Sequence, residues 1–186
     1  MRMKTLIVGS ACAVAMTAML AAVAAGQDMP QKKSPSVTFT APPIANIVRG
    51  QEGALDLRFR VASGFHINSN APTEDYLIPT ALKLDVPTDL IVGRIAYPAG
   101  EETSFAFAPD EKLSVYSGDF EVTVKVRALS TVIPGKYEFR GQLKYQACDN
   151  AACYPPKQTP VSFEIKVVKA PAAKKANPAQ SPHAHS

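Results

Sequence analysis

Cys148 and Cys153 lie close together in the segment Tyr145-Gln146-Ala147-Cys148-Asp149-Asn150-Ala151-Ala152-Cys153-Tyr154-Pro155-Pro156. The third cysteine, Cys12, falls inside a stretch that reads as an export signal. Outside the cytoplasm disulfides form and persist. So close a pair then has two uses: bracing a loop, or exchanging disulfides with another protein. Closing so short a loop stabilises by roughly 2 kcal/mol, against about 4–5 kcal/mol for a long one. A domain that needed a brace would gain more by joining distant segments. A reactive pair is therefore the first reading, and a structural staple the alternative. Metal binding ranks third, because zinc wants four ligands and the core adds only His66. His183 and His185 lie in a tail whose default is disorder. No Ser/His/Asp pattern, Gly-rich phosphate loop or paired-carboxylate motif is present. No cofactor is called for.

The N-terminus reads as a secretory signal peptide over residues 1–25. Arg2 and Lys4 precede an uncharged, apolar stretch from Thr5 to Ala25. Ala22-Val23-Ala24 and Val23-Ala24-Ala25 both offer small residues for cleavage. A retained anchor is the alternative, since the run is about long enough to span a bilayer. No other apolar stretch could cross one, so no transmembrane segment is expected after cleavage. The expected location is periplasmic or secreted.

Residues 26–35 read as a flexible segment, 36–168 as one domain, and 169–186 as a disordered tail of Ala, Pro, Lys and Asn. The formal charge of +4 is misleading. Arg2 and Lys4 leave with the signal, and Lys32, Lys33, Lys169, Lys174 and Lys175 lie in the flexible ends. The remaining core is slightly acidic, with its basic residues spread along strands. A nucleic-acid partner is not expected.

The elements that must position the pair read as strands of period two. Leu55, Leu57, Phe59 and Val61 alternate with Asp56, Arg58 and Arg60. Phe120 to Val126, Tyr137 to Tyr145 and Val161 to Val167 repeat the pattern, and Leu82 to Val86 and Leu90 to Ile95 give shorter examples. Turn signals such as Ser63-Gly64, Pro98-Ala99-Gly100 and Ser117-Gly118 separate them. Seven or eight such strands predict an all-β chain, an immunoglobulin-like antiparallel β-sandwich. The Cys–Trp–Cys core of antibody domains is absent, for the chain has no Trp.

Tyr145 and Ala147 continue the inward register, so Cys148 stands where the ladder should end. Pro155-Pro156 cannot donate ladder bonds. The pair is thus expected on a loop at one end of the sandwich, with a turn at Asp149-Asn150. The sulfurs meet if the loop folds back to bring the Cα atoms about 5–6 Å apart. No helix N-terminus is expected there to lower a thiol pKa, and Asp149 would raise it.

These residues carry a resemblance. "YQACDNAACYPP" (Tyr145 to Pro156) resembles the N-terminal periplasmic domain family of the thiol:disulfide interchange protein DsbD. "SGFHINSNAPTEDYLIPTAL" (Ser63 to Leu82) and "LSVYSGDFEVTVKV" (Leu113 to Val126) are softer matches. The resemblance covers about Ser36 to Val168 and implies the same sandwich. It implies an exported module that passes reducing equivalents from a membrane-associated donor to exported proteins; unlike the family's best-known member, which continues into membrane and thioredoxin-like domains, this one is expected to stand alone and to draw on a separate electron source. The redox protein partners that the resemblance implies include disulfide isomerases and the thioredoxin-like proteins that keep cytochrome c apoproteins reduced. By resemblance Cys153 forms the mixed disulfide and Cys148 resolves it.

The resemblance also implies a cap loop of acidic and aromatic residues over the disulfide. It maps to Glu101, Glu102 and the residues up to Phe107, with Phe105 the first candidate for the lid and Phe107 the second. Phe65, His66 and Asn68 would approach the site after Gly64. The residues themselves leave plainer roles open: Phe105 and Phe107 as core, Glu101 and Glu102 as a solvated turn, His66 as a hydrogen-bonded strand end, and Tyr154 as a loop-shaping side chain. A competing function is a non-catalytic secreted sandwich that binds a protein or envelope component, with the disulfide as a small brace.

Overall fold

The structure, a computed structural model, describes residues 34–171. The signal peptide with Cys12, most of the 26–35 segment and the tail with His183 and His185 lie outside the described residues. Twelve strands follow one another, with no helix among the described residues. They are β1 (Val37–Thr40), β2 (Ala45–Val48), β3 (Glu52–Val61), β4 (His66–Asn68), β5 (Ala81–Asp85) and β6 (Leu90–Ala96). Then come β7 (Glu101–Phe105), β8 (Ala108–Tyr116), β9 (Asp119–Ala128), β10 (Gly135–Tyr145), β11 (Ala147–Cys148) and β12 (Lys157–Val168).

The period-two segments form the two large sheets, ordered β1-β3-β9-β6 and β2-β12-β10-β5. Their apolar faces meet in one core. Leu57, Val122, Val124, Phe139, Leu143 and Ile165 are completely buried there, and burying such side chains is the main stabilising term. Phe139 and Phe163 stack at 5.1 Å within this core, and Phe59 and Phe120 at 5.3 Å. The opposite face of β3 and β9 is charged. Arg60 grips Asp119 with two nitrogens, and Arg58 pairs with Glu121. Exposed pairs of this kind add little stability. The molecule is an all-β sandwich of the immunoglobulin-like kind.

The topology departs from the sequence reading in two ways. First, β2 runs parallel to β12, from Ile165↔Ala45 to Val168↔Val48. Pro42 and Pro43 cannot extend a ladder, and there the chain leaves the first sheet for the second. Second, twelve strands stand where seven or eight were expected. The short or irregular ones escape a periodicity search: all three residues of β4 are buried, and β7 is exposed along nearly its whole length.

Glu101 and Glu102 are accordingly strand residues rather than a turn. They pair with Val115 and Ser114 of β8. An edge strand with both faces wet carries no alternation to read. Gly100 admits this strand: a Cβ there would collide with Ser114 Oγ and press on Ser69. The resulting third sheet, β11-β4-β8-β7, carries the cysteines.

Candidate functional site

β10 pairs with β12 as far as Tyr145↔Lys157, and the chain then changes sheets. Ala147 and Cys148 pair instead with Ile67 and His66 of β4. Gln146 fixes the switch. Its Oε1 accepts from Asn68 Nδ2 (3.2 Å) and the Ile78 N–H (3.3 Å), and its Nε2 donates to the Tyr154 carbonyl (3.3 Å). Asn68, completely buried, also donates to the Ile78 carbonyl. Sequence reasoning passed over Gln146, because a polar residue there fits an ordinary outward strand position.

The cysteine loop is closed by its own hydrogen bonds. Tyr154 N–H donates to the Ala147 carbonyl (2.8 Å), and Asp149 N–H to that of Ala152 (3.0 Å). Asp149 Oδ1 accepts from the N–H groups of Ala151 and Ala152, forming the turn expected of an Asp. Its Oδ2 accepts from the Tyr154 hydroxyl at 2.6 Å. Tyr154 is thereby tied into the loop, and its ring meets Phe65 edge-on at 5.8 Å.

Cys148 and Cys153 are joined by a disulfide and face each other as an antiparallel bridge. Their Cα atoms are 3.9 Å apart, closer than the spacing expected from sequence, because the turn sets them directly opposite. The two sulfurs' residues differ sharply in environment. Cys148 is 0% exposed, whereas Cys153 lies at the surface.

The β7–β8 hairpin brings aromatic rings to this edge. Phe105 lies on His66 at 3.8 Å between centroids, and Phe107 continues the stack 5.6 Å beyond Phe105. Phe105 is half-buried and packs on Leu77, Leu113 and Val115. Phe107 is exposed and lines an open groove of about 530 Å³ with Tyr76, Pro109, Gln146 and Cys153. Tyr76 donates to Glu111 at 2.7 Å and is 66% exposed, a feature the strand pattern did not reveal. Glu101 and Glu102 sit at the base of the hairpin, away from its aromatic tip, and Glu101 accepts from Ser117.

Burial pushes the His66 pKa down to about 4, with Asp149 opposing the shift. The Asp149 carboxyl is held below its ordinary range, first by the Tyr154 hydroxyl and then by the two turn N–H groups. The same bond raises the Tyr154 phenol. Among the described residues, no three His, Cys, Asp or Glu side chains converge on a metal site. No helix among them is long and apolar enough to cross a membrane.

A β-sandwich with one accessible disulfide at a sheet edge has the make-up of a thiol–disulfide exchange domain. The profile of the family described as "Thiol:disulfide interchange protein DsbD, N-terminal" matches residues 36–165, and the chain belongs to that family. Among solved structures, the reduced DsbD N-terminal domain of Neisseria meningitidis is 23% identical. It covers 60% of this chain and 79% of its own, with a TM-score of 0.38. The Neisseria meningitidis complex of the DsbD and PilB N-terminal domains gives 24% identity, 59% and 73% coverage, and a TM-score of 0.36. The N-terminal periplasmic domain of ScsB from Proteus mirabilis gives 14%, 70%, 51% and 0.44 in the same order. No curated protein matches the chain.

Proposed function

We propose that this protein is a periplasmic thiol–disulfide exchange module. It takes electrons from a membrane-associated dithiol donor and passes them to exported thioredoxin-like proteins. The observation that carries this reading is the unequal exposure of the pair: Cys153 at the surface beside an open groove, Cys148 buried. Exchange proceeds by attack of a thiolate on one sulfur of a disulfide. Access therefore selects Cys153 as the sulfur that meets partners.

A donor thiolate attacks Cys153 Sγ, the Cys148–Cys153 bond breaks, and its electron pair leaves on Cys148. The donor's second thiol then attacks the mixed disulfide and leaves both cysteines of this protein reduced. In the forward transfer, the Cys153 thiolate attacks the recipient's disulfide and Cys148 resolves the product. Phe105 and Phe107 serve as the lid that limits attack by small reagents. Phe65, His66, Asn68 and Tyr154 shape the floor and the loop, and Glu101 and Glu102 hold the lid's base. Thiol exchange needs no cofactor.

The test is to trap the mixed disulfide. Reduced Cys148→Ser is mixed with an oxidised thioredoxin-like periplasmic protein and resolved on a non-reducing gel. A covalent complex through Cys153 is expected, and Cys153→Ser should give none. No complex with Cys148→Ser, together with partner binding that survives in the double Cys→Ser variant, would establish the competing binding-module function.

A further inference from the structure

His66 sits directly across the β4–β11 ladder from Cys148. Opposed residues of an antiparallel pair stand on the same face, with Cβ atoms about 5 Å apart. His66 is 5% exposed, and its Nε2 is buried without a hydrogen-bond partner. Native proteins rarely leave such a group unsatisfied, and the exceptions tend to have a use.

That use follows from where charge develops during exchange. In the intact disulfide, Cys148 Sγ is neutral and at best a weak acceptor. When a thiolate attacks Cys153, the new bond forms on Cys153 Sγ and the old electron pair falls on Cys148 Sγ. That sulfur belongs to a residue with no solvent exposure. A buried anion without a donor is costly.

The neighbours offer little else. Asp149 is negative, and its carboxylate already accepts from Tyr154, Ala151 and Ala152. The Tyr154 hydroxyl is committed to Asp149. On β8, the Tyr116 hydroxyl donates within the Asn70 and Pro98 group. Phe105 and Phe107, from the hairpin tip, bring no polar atom. Two buried side-chain atoms lack partners among the described residues, His66 Nε2 and Asn68 Oδ1, and the second can only accept.

We propose that the Nε2–H of neutral His66 is kept for the Cys148 sulfur and carries the charge of the leaving thiolate when the disulfide opens. The arrangement follows the logic of an oxyanion hole, with the unpartnered donor carried by the residue that faces the departing sulfur across the ladder. Burial keeps the ring neutral at ordinary pH, so it donates a hydrogen bond without giving up a proton. This role rests on the exchange reading above, because it requires attack at Cys153 and departure of Cys148.

The experiment needs no partner. In reduced Cys153→Ala protein, the Cys148 pKa is read from thiolate absorbance against pH, alone and with His66→Phe or His66→Gln. The Phe variant keeps a ring against Phe105 but loses the donor, and should raise the Cys148 pKa by about 1–2 units. Gln restores an N–H and should recover at least half of the shift. In the disulfide-bonded protein, His66→Phe should slow reduction by dithiothreitol several-fold.

An unchanged Cys148 pKa in a folded His66→Phe protein overturns the role. Should that variant fail to fold, the imidazole ¹⁵N resonances of His66 in Cys153→Ala give the answer. Nε2 should shift as Cys148 ionises, and a flat response overturns the role. Trapping by Cys148→Ser with an unchanged Cys148 pKa removes this role alone. A shifted pKa without trapping leaves the hydrogen bond standing and removes the exchange function.

Discussion

The imidazole of His66 lies against the ring of Phe105 with 3.8 Å between centroids and 12° between planes. The residue opposite the buried cysteine is thus covered by the tip of a hairpin from another part of the chain. Phe105 is held in turn by Leu77, Leu113 and Val115. The stack joins the hairpin tip to the strand that faces Cys148.

Replacing Phe105 with Ala should therefore have two effects. Stability should fall by about 1–2 kcal/mol, less than for a fully buried Phe because the ring is only half-buried. Reduction of the disulfide by dithiothreitol should speed up several-fold as the lid is lost. Urea unfolding and stopped-flow reduction measure the two separately. A stability loss with no change in reduction rate would leave Phe105 as core packing alone.

Stability should also depend on pH through His66. Its folded pKa of about 4 lies below its ordinary 6.5. Between these values the unfolded chain binds a proton that the folded protein does not. Stability therefore falls as pH drops from about 6.5 to about 4, by about 2 kcal/mol after discounting for solvent at the site's edge. Asp149 acts in a lower window: its folded pKa is depressed, so its contribution is lost only below the ordinary carboxylate range. The stability of wild type relative to His66→Phe, read from urea unfolding at pH 7, 5.5 and 4.5, should fall steadily as pH falls. Parallel pH profiles would assign the slope to other groups.

Gln146→Ala should cost about 2 kcal/mol, since it removes three hydrogen bonds that join β4, the Ile78 segment and the cysteine loop. It should also loosen the loop, seen as faster hydrogen exchange at the Tyr154 amide. That amide donates to the Ala147 carbonyl. Unchanged protection there would show that the loop's own Asp149 turn holds it without Gln146.

The sequence was most legible where one sheet face is dry and the other wet. β3, β9, β10 and β12 announce themselves by strict alternation, because each buries one face against the same core. β4 and β7 do not. One is buried on both faces and the other is exposed on both, so neither has a period. The resemblance of the cysteine segment to a known family supplied what periodicity could not, namely the hairpin region as a place to look.

The sequence by itself determined the sandwich and the turn at Asp149, whereas Cys148, expected on a loop, stands in strand β11 of the third sheet. The sandwich and the turn follow from local pattern and from the preferences of a short polar side chain. Tertiary structure alone decided which cysteine is buried. Gln146 ties the chain to a new sheet there, and Cys148 pairs with β4 inside that sheet. Tertiary structure also decided that His66 faces Cys148 across a ladder. Strand register is set by the whole fold, and no spacing along the chain encodes it.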